Sequence, residues 1–209
     1  MVVLGAGGHA RVLLGLLSMT GRPVLGLLDD APAKRGEALG GHVIAGPLDE
    51  VLGYKTDEVE LVNAIGSSGR PDMRQAVYDR YVVQGYRFAT LVHPSAVIAV
   101  DATLGAGVQV MALAVVQVGA VLGADVLLNT RASVDHDSRV GEHCHVAPGA
   151  TVCGDVTLGP VSHIGAGATV VQGIRLGAGC LVAAGATVIR DVPEGTAVCG
   201  VPAVPMKTF

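Results

Sequence analysis

A histidine flanked by two aspartates, Asp135-His136-Asp137, is the place in this 209-residue chain where side-chain types and spacing most plainly suit chemistry. Imidazole titrates near pH 6.5, and a partner carboxylate fixes its tautomer and raises its basicity. Such a pair fits a general base that removes a proton from an amine or hydroxyl as it attacks a thioester. His145 follows nine residues later, and His163 lies eighteen beyond that. Metal ligands must converge on one point, and this spacing makes His136 and His145 diverge, so no metal site, and no zinc, is expected. The cysteines, Cys144, Cys153, Cys180 and Cys199, form no close CxxC pair, so reduced structural thiols are the expectation.

The element that positions these histidines is a six-residue repeat. Stepping by six from Ile98 through Leu104, Val110 and Val116 to Val182 and Val188 meets Ile, Leu or Val at every step. Four residues further on in each hexad runs a second column of small or β-branched residues, with Ala102, Ala132, Ser138, Cys144, Ala168 and Cys180 among them. Gly105, Gly123, Gly141, Gly159 and Gly177 recur every third hexad. One hexad holds a short strand and a corner, so three hexads make one triangular coil with the large aliphatic residue inside. Glycine at one corner fits a turn that needs positive φ or a bare backbone. Strands spaced roughly 4.8 Å apart would stack about five such coils into a prism about 25 Å long. An antiparallel barrel or sandwich would instead show alternation with turns every 8–12 residues.

Nine residues is half a coil, so His136 and His145 of one chain point to opposite sides of the prism. A site using both must draw on two chains, which predicts a homotrimer with clefts between packed prisms.

The front of the chain reads differently. Val2-Val3-Leu4 is a short strand, followed at once by Gly5-Ala6-Gly7-Gly8-His9-Ala10-Arg11 and an apolar helical stretch from Val12 to Leu17. A glycine-rich turn between strand and helix lets the backbone approach a phosphate at the helix N-terminus. A second strand, Val24 to Leu28, ends in Asp29-Asp30, where an acidic residue commonly binds a ribose hydroxyl or base edge. A third, Val59 to Ala64, ends in Ile65-Gly66, and Pro71 to Gln84 reads as a helix. This is half of a dinucleotide fold, and it points to nucleotide or nucleotide-sugar binding rather than to a dehydrogenase. The expected organisation is an α/β half-Rossmann-like domain over residues 1–90 and an all-β parallel β-helix over 91–209.

Half of the chain is hydrophobic, only 3% is aromatic, and Gly numbers 30, which suits a core of small side chains packed repetitively. A net charge of −4 leaves no electrostatic footprint for nucleic acid or an anionic membrane. No apolar run reaches the roughly 20 residues that span a bilayer, and no leader precedes the first strand, so a soluble cytoplasmic protein is expected.

These motifs together resemble the hexapeptide-repeat sugar acyltransferases, above all the nucleotide-linked 4-amino-sugar N-acetyltransferases of the bacillosamine and perosamine type and the sialic acid O-acetyltransferases. The carriers are Gly5-Ala6-Gly7-Gly8-His9-Ala10, Asp29-Asp30, His93-Pro94-Ser95-Ala96, Asn129-Thr130, His136-Asp137, His145-Val146-Ala147-Pro148-Gly149-Ala150, and the tail Gly200-Val201-Pro202-Ala203 with Lys207. The resemblance implies a left-handed β-helix and acetyl-CoA as co-substrate. It makes His136 the general base, oriented by Asp137. His145, Gly154, Ala166, Ala184 and Lys207 would contact the acetyl-CoA, with the backbone N–H of Gly154 aimed at the thioester oxygen. Gly7, Gly8, His9, Arg11, Asp29, Asp30, Ile65, Gly66 and Asn129 would hold the nucleotide sugar, a GDP-perosamine or UDP-4-amino sugar. The family pattern carries His-Glu in the bacillosamine-type enzymes where this chain has His136-Asp137, which leaves the GDP-perosamine-like and sialic acid acceptors open. The expected reaction is direct transfer from acetyl-CoA to the 4-amino group, serving surface polysaccharide or glycan precursor synthesis. Alternatives are O-acetylation of sialic acid and a zinc-dependent hydrase of the γ-carbonic-anhydrase type.

Overall fold

A computed structural model describes residues 1–67 and 71–206. Two compact units emerge: Met1–Gly66 with Ala76–Ala89, and Ser67–Gln75 with Thr90–Phe209.

The first unit is a four-stranded parallel sheet. Its strands are β1 (Val2–Leu4), β2 (Gly26–Leu28), β5 (Glu60–Asn63) and β6 (Arg87–Phe88), in the order β2-β1-β5-β6. Between β2 and β5 a small hairpin pairs β3 (Ala38–Leu39) with β4 (His42–Val43). Helix α1 (Gly8–Met19) follows β1 and buries Ala10, Leu13, Leu14, Leu16 and Leu17, the i, i+3, i+4 stripe of an amphipathic helix. β1 is buried throughout, as a strand with neighbours on both edges requires. Helix α2 (Asp72–Val82) leads to β6, and its residue Tyr78 stacks on Phe88 with ring centroids 4.5 Å apart.

The second unit is a left-handed β-helix of about six turns. Every coil is a triangle of two-residue strands. Face I carries Leu91–Val92, Gln109–Val110, Leu127–Leu128, His145–Val146, His163–Ile164, Leu181–Val182 and Ala197–Cys199, and ends at Val204–Pro205, which pairs antiparallel to the last of these. Face II carries Val97–Ile98, Val115–Val116, Ser133–Val134, Thr151–Val152, Thr169–Val170 and Thr187–Val188. Face III carries Thr103–Leu104 through Arg175–Leu176. Neighbouring strands pair in parallel at eighteen-residue register, as in Leu127↔His145 and His145↔His163. The stack is longer than the five coils expected, because Leu91–Val92 and Ala197–Cys199 extend face I at its two ends.

Both hexad columns lie inside, forming one continuous core from Val108 to Val198. Interior hydroxyls and thiols are satisfied along the stack: Ser138 Oγ donates to the Cys153 carbonyl and Ser162 Oγ to that of Gly177. The eighteen-residue glycines answer to close approach rather than to turn conformation. A Cβ on Gly105 would lie 2.7 Å from Ala124 N, and one on Gly141 would lie 2.6 Å from Pro160 N. Positive φ belongs to another column, occupied by Leu113, Asp125, Arg131, Asp137, His143, Asp155 and Val161 at φ 56–59° and by glycine elsewhere. For Val161 this left-handed conformation is strained, whereas Asp and His tolerate it better.

Candidate active site

His136 stands at the corner between faces II and III. Its side chain is 54% exposed, and Asp137 Oδ2 lies 2.9 Å from its Nδ1. The left-handed backbone of Asp137 turns that carboxylate back onto the ring. A carboxylate only accepts, so Nδ1 carries the proton and Nε2 is the basic nitrogen. The hydrogen bond to Asp137 raises the His136 pKa above 6.5; desolvation opposes it, and the charges of Asp135, Asp137 and Asp155 add to the rise. The ring rests on Gly154, one coil further on, where any Cβ would collide with Nε2 and Cε1.

His145 projects outward from face I and is nearly buried, with His163 beside it on the next coil. Their rings meet edge to face with centroids 4.8 Å apart. His145 Nε2 lies 3.1 Å from Asn129 Nδ2, and His163 Nδ1 lies 3.3 Å from Ser67 Oγ. Burial pushes the His163 pKa down to about 4, so this imidazole is neutral at pH 7. These four side chains line one end of a cleft of about 460 Å³ whose remaining walls include Pro148, Gly165, Ala166, Val182 and Ala184.

The cleft therefore brings together Asn129, His145, Ala166 and Ala184 from among the residues expected to bind ligand. It does not include His136 or Gly154, which share another corner of the same coils. Asn129, expected to hold the nucleotide sugar, sits against His145. Lys207 lies outside the described residues. Ser67 and His163 were missed as cleft residues, although the eighteen-residue spacing of His145 and His163 already put the two histidines side by side. Among the described residues no group of three His, Cys, Asp or Glu side chains is placed to hold a metal ion.

Within the first unit, Gly7, Gly8, His9 and Arg11 open α1, and Asp29, Asp30, Ile65 and Gly66 follow β2 and β5. All eight thus gather at the carboxyl ends of parallel strands, where open α/β sheets take ligands. Gly7 is the N-cap of α1, and no acidic side chain occupies the first turn. Asp29 braces this turn: its carboxylate accepts from the N–H groups of Ala6 at 2.7 Å and Ala31 at 2.9 Å, and pairs with Lys34 at 2.8 Å. Burial alone would raise the Asp29 pKa, but Lys34 and the two N–H groups outweigh it and hold the carboxyl below its ordinary value. Asp30 accepts from the Leu48 N–H. A Cβ on Gly66 would lie 3.5 Å from the His9 Cβ, so the loop after β5 runs alongside the first turn of α1.

A mononucleotide-type sheet unit followed in the chain by a hexapeptide β-helix with an exposed His–Asp pair defines the class: the chain belongs to the hexapeptide-repeat sugar acetyltransferases. The family model of the PglD N-terminal domain matches residues 1–81. The chain is similar to perosamine N-acetyltransferase, PerB, from Caulobacter crescentus, solved with CoA and GDP-perosamine: 34% identity over 99% of this chain and 96% of that one, TM-score 0.89. It is 32% identical to the acetyltransferase domain of PglB from Neisseria gonorrhoeae FA1090, solved with acetyl coenzyme A, over 98% of both chains with a TM-score of 0.90. WeeI from Acinetobacter baumannii AYE shares the fold at 22% identity and TM-score 0.88. No curated protein sequence matches the chain. No helix among the described residues is long and apolar enough to cross a membrane.

Proposed function

We propose that this chain is an acetyl-CoA-dependent N-acetyltransferase acting on the 4-amino group of a nucleotide-linked amino-dideoxy sugar. The observation that carries it is the end-to-end likeness to a perosamine N-acetyltransferase solved with CoA and GDP-perosamine. The His136–Asp137 pair supports it chemically, since an exposed base of raised pKa is what deprotonation of an attacking amine requires.

In the reaction, the sugar amine attacks the thioester carbonyl and gives a proton to His136 Nε2. Asp137 stabilises the imidazolium through Nδ1–H. The backbone N–H of Gly154, adjacent to the His136 ring, faces the oxyanion of the tetrahedral intermediate. Collapse breaks the C–S bond, and the imidazolium returns its proton to the departing CoA thiolate. The cleft at His145 receives the acyl end of acetyl-CoA, with Ala166 and Ala184 along the pantetheine arm. In the front unit, Gly7, Gly8, His9 and Arg11 cradle the diphosphate, with Asp29, Asp30, Ile65 and Gly66 around the nucleoside.

His136 and His145 lie at different sides of one coil stack, so a complete site takes one from each of two subunits in a homotrimer. Exposed Val97, Val100, Leu113 and Val118 on the early coils support such packing; Val100 and Val118 precede His136 in its own corner column. Incubation with acetyl-CoA and either GDP-perosamine or a UDP-4-amino sugar, followed by mass spectrometry, tests the proposal. A gain of one acetyl group on the sugar nucleotide is expected. Acetylation of sialic acid alone would overturn it in favour of the O-acetyltransferase alternative.

A further inference from the structure

The side chains around His145 decide which of its nitrogens carries a proton. Asn129 Oδ1 accepts from the Thr130 N–H at 2.8 Å and lies 3.5 Å from the Thr130 hydroxyl. That bond fixes the orientation of the amide, so the group facing His145 is the NH2. An amide NH2 only donates. His145 Nε2, 3.1 Å away, must therefore accept, and the neutral ring must carry its proton on Nδ1.

His163 bounds the ring from its other side. Its own imidazole is held by Ser67 at 3.3 Å and meets His145 at an interplanar angle of 86°. Edge-to-face contact of this kind sets a positive ring edge against a negative ring face and restricts rotation about the side-chain torsions. Both rings are about 95% removed from solvent, at 4% and 6% exposure, so neither is free to trade these contacts for water.

We propose that His163, held by Ser67, is a positioning residue that clamps His145, while Asn129 locks it as the neutral Nδ1–H tautomer, so that His145 at the acyl-donor cleft is not a second base. This deepens the proposed acetyltransferase reading and rests on it for its functional meaning. The division of labour then has a physical basis: His136 accepts the proton because a carboxylate faces its Nδ1, and His145 does not because an amide NH2 already occupies its Nε2. The same residue type is given different roles by the partner of one nitrogen.

Long-range 1H–15N spectra of the 15N-labelled, ligand-free protein test the tautomer directly, with His145→Gln identifying the His145 signals. The expected wild-type pattern is a protonated Nδ1 and an unprotonated Nε2. In Asn129→Asp the new carboxylate accepts, and the proton is expected to move to Nε2. His163→Ala should broaden the His145 signals by freeing the ring and raise KM for acetyl-CoA by roughly tenfold with a smaller change in kcat. His163→Phe keeps the edge-to-face packing and is expected to retain sharp His145 signals, which separates loss of the clamp from a failure to fold. A wild-type His145 protonated on Nε2, or a tautomer unmoved by Asn129→Asp, would overturn the proposal. The spectra need no substrate, so a failure of acetyl transfer would count against the enzymatic reading alone.

Discussion

The imidazole of His136 lies against Cα of Gly154, one coil further along the same chain, in space that a Cβ would otherwise fill. The absence of a side chain at one position is what lets the base adopt its place at the other. Gly154→Ala is therefore expected to keep the fold but swing the imidazole away from its carboxylate-held pose. Displacement of a catalytic group by about 1 Å costs on the order of a hundredfold in rate. Circular dichroism and kcat on the same preparation check this, with folded but active protein as the contrary result.

The pH profile should report Asp137. His136 must be unprotonated to act, and its pKa is raised, first by the hydrogen bond to Asp137. The acid limb of kcat/KM is thus expected to have its midpoint above 6.5. Asp137→Asn removes the largest raising influence, so the midpoint should move to lower pH while the plateau falls. A limb that stays in place would mean that another group controls it.

Arg74, Asp125 and His143 form a buried cluster in the second unit. Asp125 Oδ1 lies 2.7 Å from Arg74 Nη2, its carbonyl accepts from Arg74 Nε at 3.1 Å, and its Oδ2 lies 3.2 Å from His143 Nδ1. Arg74 and Asp125 are wholly buried, and desolvation pulls the Arg74 pKa down against the pull of its partner. Asp125→Asn keeps a residue that tolerates the left-handed backbone but leaves the guanidinium uncompensated. A loss of about 3–5 kcal/mol is expected in urea unfolding. Asp125→Asn combined with Arg74→Met, which removes both buried charges, should cost much less than Asp125→Asn alone. Equal losses in the two variants would refute the electrostatic account.

If each site draws His136 from one subunit and His145 from another, two inactive variants should complement. His136→Ala and His145→Ala chains, each expected to be impaired alone, should regain transfer activity when unfolded together and refolded as mixed oligomers. Mixed oligomers with no more activity than the parents would place both histidines' work within one chain.

The coil stack was legible because its two buried columns face a single interior, and an interior of fixed width admits few side-chain sizes at each step. Ile164 and Ala168 differ in kind because they fill different parts of the triangle, so the register could be read directly. The left-handed column was not legible: Leu113, Arg131, His143 and Val161 share one backbone conformation but no chemistry, and the conformation is imposed by the corners. Arg74 was missed for a different reason. It sits in a stretch that reads as an ordinary surface helix, and its partner Asp125 lies fifty-one residues away. In the site, His136 was visible from its flanking carboxylates and His145 and His163 from their eighteen-residue spacing. Ser67 and the fixed amide of Asn129 depend on hydrogen bonds that carry no sequence pattern.

The most direct test of the central claim is CoA thiol release from acetyl-CoA in the presence of GDP-perosamine, a UDP-4-amino sugar or sialic acid, with His136→Ala run beside the wild type. Turnover on one amino-sugar nucleotide, lowered about 10²–10⁴-fold in the variant, is the predicted result for removal of a general base. Wild-type release from none of the acceptors, or equal turnover by the variant, would contradict the account.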